Sequence, residues 1–265
     1  MLTRLFRQRR RIIVLVLATM VAGALKFGVG TVPLLCGITG LVAACCVVML
    51  VPNRRRWIES LGIGLVFACL WNPPAIAFWV FATICAVGVH VLIHGQWSDR
   101  TPLRLALTSH RVSQVAASPA MVWATLVPGE SHPDDHWTGT LTDFDHDPDD
   151  PLTTYLRYSA PDGLFEDVTV TFLDHSPLRQ CRYVIERSED HLAAAGIMLI
   201  DIVEPVANQC QITSHLTYAE LPPRIALGRW LDDTFGDEWD SFAATISARR
   251  DWSIYGLHRA RVVVA

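Results

Sequence analysis

Asn53-Arg54-Arg55-Arg56 separates two long apolar stretches from two more, and its reading decides how the chain divides. Three adjacent arginines cannot reside in hydrocarbon, so they mark a membrane surface. Cytoplasmic loops are enriched in Lys and Arg, which makes that surface the cytoplasmic one. Working outward, the spacing predicts spans over residues 12–30, 33–51, 57–71 and 75–93. At 1.5 Å per residue the second and fourth are long enough to cross a core of about 30 Å. The third is short, and Asn72-Pro73-Pro74 ends it, so it either crosses with local thinning or dips in and returns. In both cases the fourth segment comes back to the arginine side.

Two further basic clusters agree with this placement. Arg4, Arg7, Arg9, Arg10 and Arg11 precede the first span, and Arg100, Arg104 and Arg111 follow the last. Ala22-Gly23-Ala24 would suit cleavage of a signal peptide, but further apolar segments follow at once, as in a multi-spanning protein. The expectation is an integral protein of a bacterial inner (plasma) membrane with both termini cytoplasmic. Anionic lipid head groups are the expected partners of Arg54, Arg55 and Arg56. His90 and His94, four residues apart, share a helix face at the end of the last span. No second such pair occurs, and no metal or other cofactor is expected.

Charge divides the chain at the same place. Its 265 residues carry a net charge of −4. The first 100 hold ten basic residues against two acidic ones, and the remainder twelve against twenty-four, so a +8 block precedes a −12 block. An acidic second block repels phosphates, which excludes nucleic acid as a partner. Of seven cysteines, Cys36, Cys45, Cys46, Cys69 and Cys85 fall in apolar segments, leaving Cys181 and Cys210. No spacing among them suggests a disulfide framework or a zinc site.

Residues 96–107 read as a linker. Beyond them the periodicity changes. A strand pattern over 110–116 is followed by Ser118-Pro119-Ala120, an N-cap with proline at the first helical position. The helix carries Met121, Val122, Trp123, Leu126 and Val127, and Pro128-Gly129 stops it. The run Asp143-x-Asp145-x-Asp147-x-Asp149 resembles a calcium loop, but Pro148 and Thr154 stand where glycine and a bidentate glutamate are required. A solvated acidic hairpin loop is the better reading. Strand patterns then recur over 138–144, 153–158, 165–173, 179–187, 195–203 and 209–218. After Pro222-Pro223, apolar residues return at helical spacing from Ile225 through Trp230, Trp239 and Ile246, giving one long helix to about Tyr255.

Strand, helix, six strands in meander and a long terminal helix, with the opener Ser118-Pro119-Ala120-Met121-Val122-Trp123 behind the first strand, resemble the START and polyketide-cyclase (SRPBCC, helix-grip) superfamily over residues 108–257. The expected fold class is α+β: a curved antiparallel seven-strand sheet around a long C-terminal helix, after an all-α membrane hairpin block, with 258–265 as a tail. The resemblance implies an apolar cavity between sheet and helix and a hydrophobic ligand such as a lipid, quinone or polyketide. On the concave face Phe172, Tyr183, Met198 and Tyr218, opposite Trp230 and Trp239, are the candidate ligand-binding residues. The alternatives are a cyclase or hydrolase using the same cavity and an interaction module acting through the acidic loop. For catalysis, His215 falls on the outer face by parity, and His175 and His191 lie in or beside turns.

Overall fold

The computed structural model describes residues 2–71, 73–159, 164–187, 195–257 and 259, and divides into two units. The first comprises residues 1–102 together with 227–234, and the second residues 103–226 and 235–265. The turns expected at 161–163 and 188–190, and His191, lie outside the described residues.

The first unit is helical: α1 (Leu2–Arg7), α2 (Arg9–Phe27), α3 (Thr31–Leu50), α4 (Trp57–Trp71) and α5 (Ala75–His94). Thr31–Leu50 and Ile76–Arg100 are long and apolar enough to cross a membrane, whereas Trp57–Trp71 is apolar but only 15 residues long. The buried positions of this unit mix small residues with Ile12, Leu15, Val48 and Ile58. Small residues such as Ala44, Ala68 and Ala86 are buried, while Leu34, Leu35, Ile38, Trp79, Ile84 and Leu92 point outward. Small residues let helix backbones approach closely. Gly64 shows how close the approach is: a Cβ there would lie 2.5 Å from the Ala86 amide nitrogen.

The helix α2 begins at Arg9, three residues before the expected span, and Arg9 and Arg11 of its first turn meet carboxylates. Arg11 is fully buried. Its Nε donates to Asp232 Oδ1 at 2.7 Å and its Nη1 to Glu59 Oε1. Arg55 donates from Nε and Nη2 to the two oxygens of the same Asp232, at 3.0 and 3.2 Å. Burial raises the pKa of Asp232, but the two guanidiniums outweigh it and hold the carboxyl below its ordinary range. Arg7 pairs with Asp233 at 2.9 Å, and Arg10 lies over the Trp230 ring. Arg54 and Arg56 remain exposed.

The second unit is α+β. Its seven strands are β1 (Leu105–Val115), β2 (Leu141–His146), β3 (Thr153–Ser159), β4 (Phe165–Ser176), β5 (Gln180–Arg187), β6 (Gly196–Val206) and β7 (Gln209–Leu221). They form one antiparallel sheet in the order β1-β7-β6-β5-β4-β3-β2. The first strand starts inside the expected linker because Leu105 and Leu107 already pair with Leu221 and Tyr218. Alternation survives as predicted: Val168, Val170 and Phe172 on β4, Cys181 and Tyr183 on β5, and Cys210, Ile212 and Leu216 on β7 are buried. The helix α6 (Pro119–Leu126) is capped by Ser118, whose Oγ accepts from the Met121 amide.

The terminal helix differs from the single long one expected. It is two helices, α7 (Pro223–Asp232) and α8 (Thr234–Ile246), separated by Asp233 at φ 46°. Gly236 lies inside α8, and the break falls where Asp233 adopts a left-handed conformation and pairs with Arg7. A second left-handed residue, Ala248 at φ 48°, ends the helical path, and helical backbone resumes at 254–257.

Two substitutions test the helical unit. Gly64→Val places a branched side chain against the Ala86 backbone and lowers stability by about 1–3 kcal/mol, seen as a lower melting temperature of the full chain in mild detergent. Asp232→Ala leaves Arg11 and Arg55 short of a partner and costs about 3–5 kcal/mol in the same measurement.

Candidate functional site: a cavity between sheet and helix

A cavity of about 320 Å³ lies in the second unit, between one face of the sheet and α8. Strand register explains its shape. Leu156 on β3 pairs with Val168 on β4, which pairs with Arg187 on β5. The next row inward sets Val170 beside Ile185, and a further row sets Phe172, Tyr183 and Met198 side by side. At the outer end Tyr158 pairs with Glu166, and Glu166 Oε1 accepts from Arg187 Nε at 3.1 Å, both side chains being about half exposed. The cavity is therefore apolar along its floor and charged at its rim.

The opposite wall comes from α8 and from the irregular segment after α6. Phe235, Glu238, Trp239 and Phe242 project from α8, and Trp137 meets Phe242 edge to face at 5.9 Å and Tyr255 at 5.3 Å. Trp137 is held by its amide, which donates to the Thr125 carbonyl at 3.0 Å. Tyr255 is placed by Asp237, whose Oδ2 accepts from the Tyr255 amide at 2.7 Å and whose Oδ1 accepts from the Ile254 amide at 3.1 Å.

Of the six candidate residues, Tyr183, Met198 and Trp239 line the cavity. Phe172 is buried beside Tyr183 but packs within the core. Tyr218 lies over Gly196, where a Cβ would come within 2.7 Å of its ring, and it does not line the cavity. Trp230 is 46 % exposed, belongs to the first unit and stacks with Arg10. Its helical spacing matched Trp239, but the break at Asp233 separates the two residues into different units.

Sequence reasoning did not single out His136, Trp137, Tyr158 or Tyr255. For Tyr158 a signal was available, because Thr154, Leu156 and Tyr158 alternate with exposed Tyr155 and Arg157. For the others the governing contacts are long-range. Other histidines are engaged elsewhere: His175 lies within β4 and meets Glu130 at 2.7 Å, and His215 stacks on His110 across the β1–β7 ladder. In the first unit His94 meets Glu59 at 2.7 Å and His90 stacks on Trp57. In the acidic loop Asp147 Oδ1 accepts from the amides of Asp149 and Asp150, and Asp150 binds Leu152 and Thr153. These carboxylates close a turn.

Burial sets the protonation of the polar lining. The His136 ring is 7 % exposed, and loss of hydration pushes its pKa down to about 4, so it is neutral at pH 7. The hydroxyls of Tyr158, Tyr183 and Tyr255 are pushed up by burial and stay protonated. Burial also raises Asp237 to about 6, against the pull of its two backbone donors.

No protein-family model matches the chain, and no curated protein matches it. Among solved structures, a protein from Chromobacterium violaceum is similar at 17 % identity over 54 % of this chain and 96 % of its own, with a TM-score of 0.38. A conserved protein from Geobacillus kaustophilus covers 54 % of this chain and 93 % of its own at 12 % identity and a TM-score of 0.42. A conserved protein of unknown function from Enterococcus faecalis covers 65 % and 94 % at 16 % identity and a TM-score of 0.40. At this level of likeness they define neither a family nor an activity for this chain.

The two shifted groups give opposite pH dependences. His136 is depressed in the fold, so its contribution is present above its unfolded pKa of about 6.5 and is lost as pH falls toward about 4. Asp237 is raised, so its contribution is greatest in acid and is lost as pH rises from about 4 through about 6. Melting temperatures between pH 4 and 7 check both. The advantage of wild type over Asp237→Asn shrinks as pH rises, and its advantage over His136→Asn grows.

Proposed function

We propose that this chain is a membrane-tethered binding protein whose helix-grip domain takes a hydrophobic small molecule into the cavity between sheet and α8. The observation that carries this reading is the cavity itself. About 320 Å³ of space remains among Tyr183, Met198, Trp137, Trp239 and Phe242, although close packing normally leaves few voids larger than a water molecule. That volume falls at the lower end of the range for small-molecule sites, and its lining is mainly apolar with a few convergent polar groups, as in such sites. The order of strands and helices supports assignment to the START and polyketide-cyclase superfamily.

The outward-facing Leu, Ile and Trp side chains of the first unit support a membrane anchor, since water would penalise that surface. The basic clusters support a cytoplasmic position for the second unit. Exposed Arg54 can meet anionic head groups, whereas Arg55 is committed to Asp232. Tethering raises the local concentration of the binding domain at the bilayer in which an apolar ligand dissolves.

Organic extraction and mass spectrometry of the full chain, purified in mild detergent, test the reading. An apolar compound is expected at about one per chain, and Met198→Trp, which fills the cavity, should reduce its occupancy about tenfold, equivalent to roughly 1.4 kcal/mol. Finding no compound, together with no uptake of an apolar dye by the purified protein, would sink the proposal.

A further inference from the structure

Apart from the carboxylates of Glu166 and Glu238, three polar groups of the lining, on His136, Tyr158 and Tyr183, can donate hydrogen bonds. For His136 this follows from its neighbours. The Thr140 amide donates to Thr138 Oγ1 at 3.4 Å, leaving the Thr138 hydroxyl to donate to His136 Nδ1 at 2.7 Å, and the Thr138 amide also faces Nδ1 at 3.4 Å. An amide N–H can only donate, so Nδ1 accepts. The single proton of the neutral ring is then on Nε2, where no acceptor is present among the described residues. Tyr183, 5 % exposed, and Tyr158 also line the cavity, and neither hydroxyl has a hydrogen-bond partner among the described residues.

A ligand that covers these three donors without offering an acceptor strips them of water at a penalty of about 1–3 kcal/mol each. We infer that the cavity selects an uncharged, apolar molecule bearing a carbonyl-type acceptor, and that His136 Nε2–H with the hydroxyls of Tyr158 and Tyr183 reads that oxygen. This rests on the small-molecule reading above and narrows its ligand class. An anion is disfavoured because Arg187 is already paired with Glu166, Arg259 is engaged by the Trp137 carbonyl and the Thr245 hydroxyl, and the Glu238 carboxylate also lines the cavity. A plain hydrocarbon fills the space but leaves the donors unmet.

Three probes of one shape separate the possibilities: fluorene, 9-fluorenone and fluorene-9-carboxylate, titrated against the full chain in mild detergent by quenching of tryptophan fluorescence. Fluorenone is expected to bind about tenfold tighter than fluorene, the size of one or two neutral hydrogen bonds, and the carboxylate more weakly than either. Tyr158→Phe with Tyr183→Phe keeps both rings and should reduce the preference for fluorenone at least threefold, with fluorene binding unchanged. Equal binding of fluorene and fluorenone overturns the carbonyl inference while leaving an apolar site intact. Tightest binding of the carboxylate overturns the requirement for an uncharged ligand. A preference that persists in the double variant removes the tyrosines from the reading group. If none of the three binds, the small-molecule reading fails and this inference with it.

Discussion

A guanidinium without access to water must be matched by carboxylates, and Arg11 imposes that condition on the first unit. Glu59 and Asp232 meet it together, one from α4 and the other from the end of α7. Desolvating such ions costs several kcal/mol each, so the pairing secures geometry more than it adds net stability. Its consequence is to fix neighbours in place. Arg55 joins the same Asp232, the Gln8 side chain donates to the Asp232 carbonyl, and His94 closes on Glu59. Charged groups thus gather at one end of helices whose remaining surfaces are apolar.

In the second unit the governing constraint is the mismatch between a curved sheet and the helix laid against it. Aromatic residues span the gap without filling it: Trp239 stacks edge-on with Phe242, and Trp137 reaches across to Tyr255. Rings are rigid and broad, so they wall a space where aliphatic chains would collapse into it. The turn that presents Tyr255 depends on the buried carboxyl of Asp237, and the segment that presents His136 depends on threonine hydroxyls. Apolar floor and polar donors therefore come from different parts of the chain and meet only in the fold.

Much of this was legible in one dimension, and for identifiable reasons. Strands alternate with period two, so Val168, Val170, Phe172, Tyr183 and Ile212 could be assigned to the inner face from their parity. Ser118-Pro119 announced α6 through capping chemistry that acts within three residues. Trp230 shows where such reasoning stops. Its helical spacing was right, but Asp233 takes a positive φ that no local pattern announces, and the residues beyond it belong to another unit. Arg55 shows the same limit for charge. As one of three adjacent arginines it marked a surface, and its partner lies 177 positions away.

By itself, then, the sequence determined the division into an apolar basic half and an acidic α+β half, the number of strands and the side chains that point inward. These follow from local periodicity and from the insolubility of charge in hydrocarbon. Tertiary structure alone decided that His136, Tyr158 and Tyr255 share a cavity with Tyr183, Met198 and Trp239, and that Arg11 and Arg55 share Asp232. Such meetings depend on strand register and on where the helical path breaks. Both are settled by packing over the whole chain, beyond the reach of any short stretch of it.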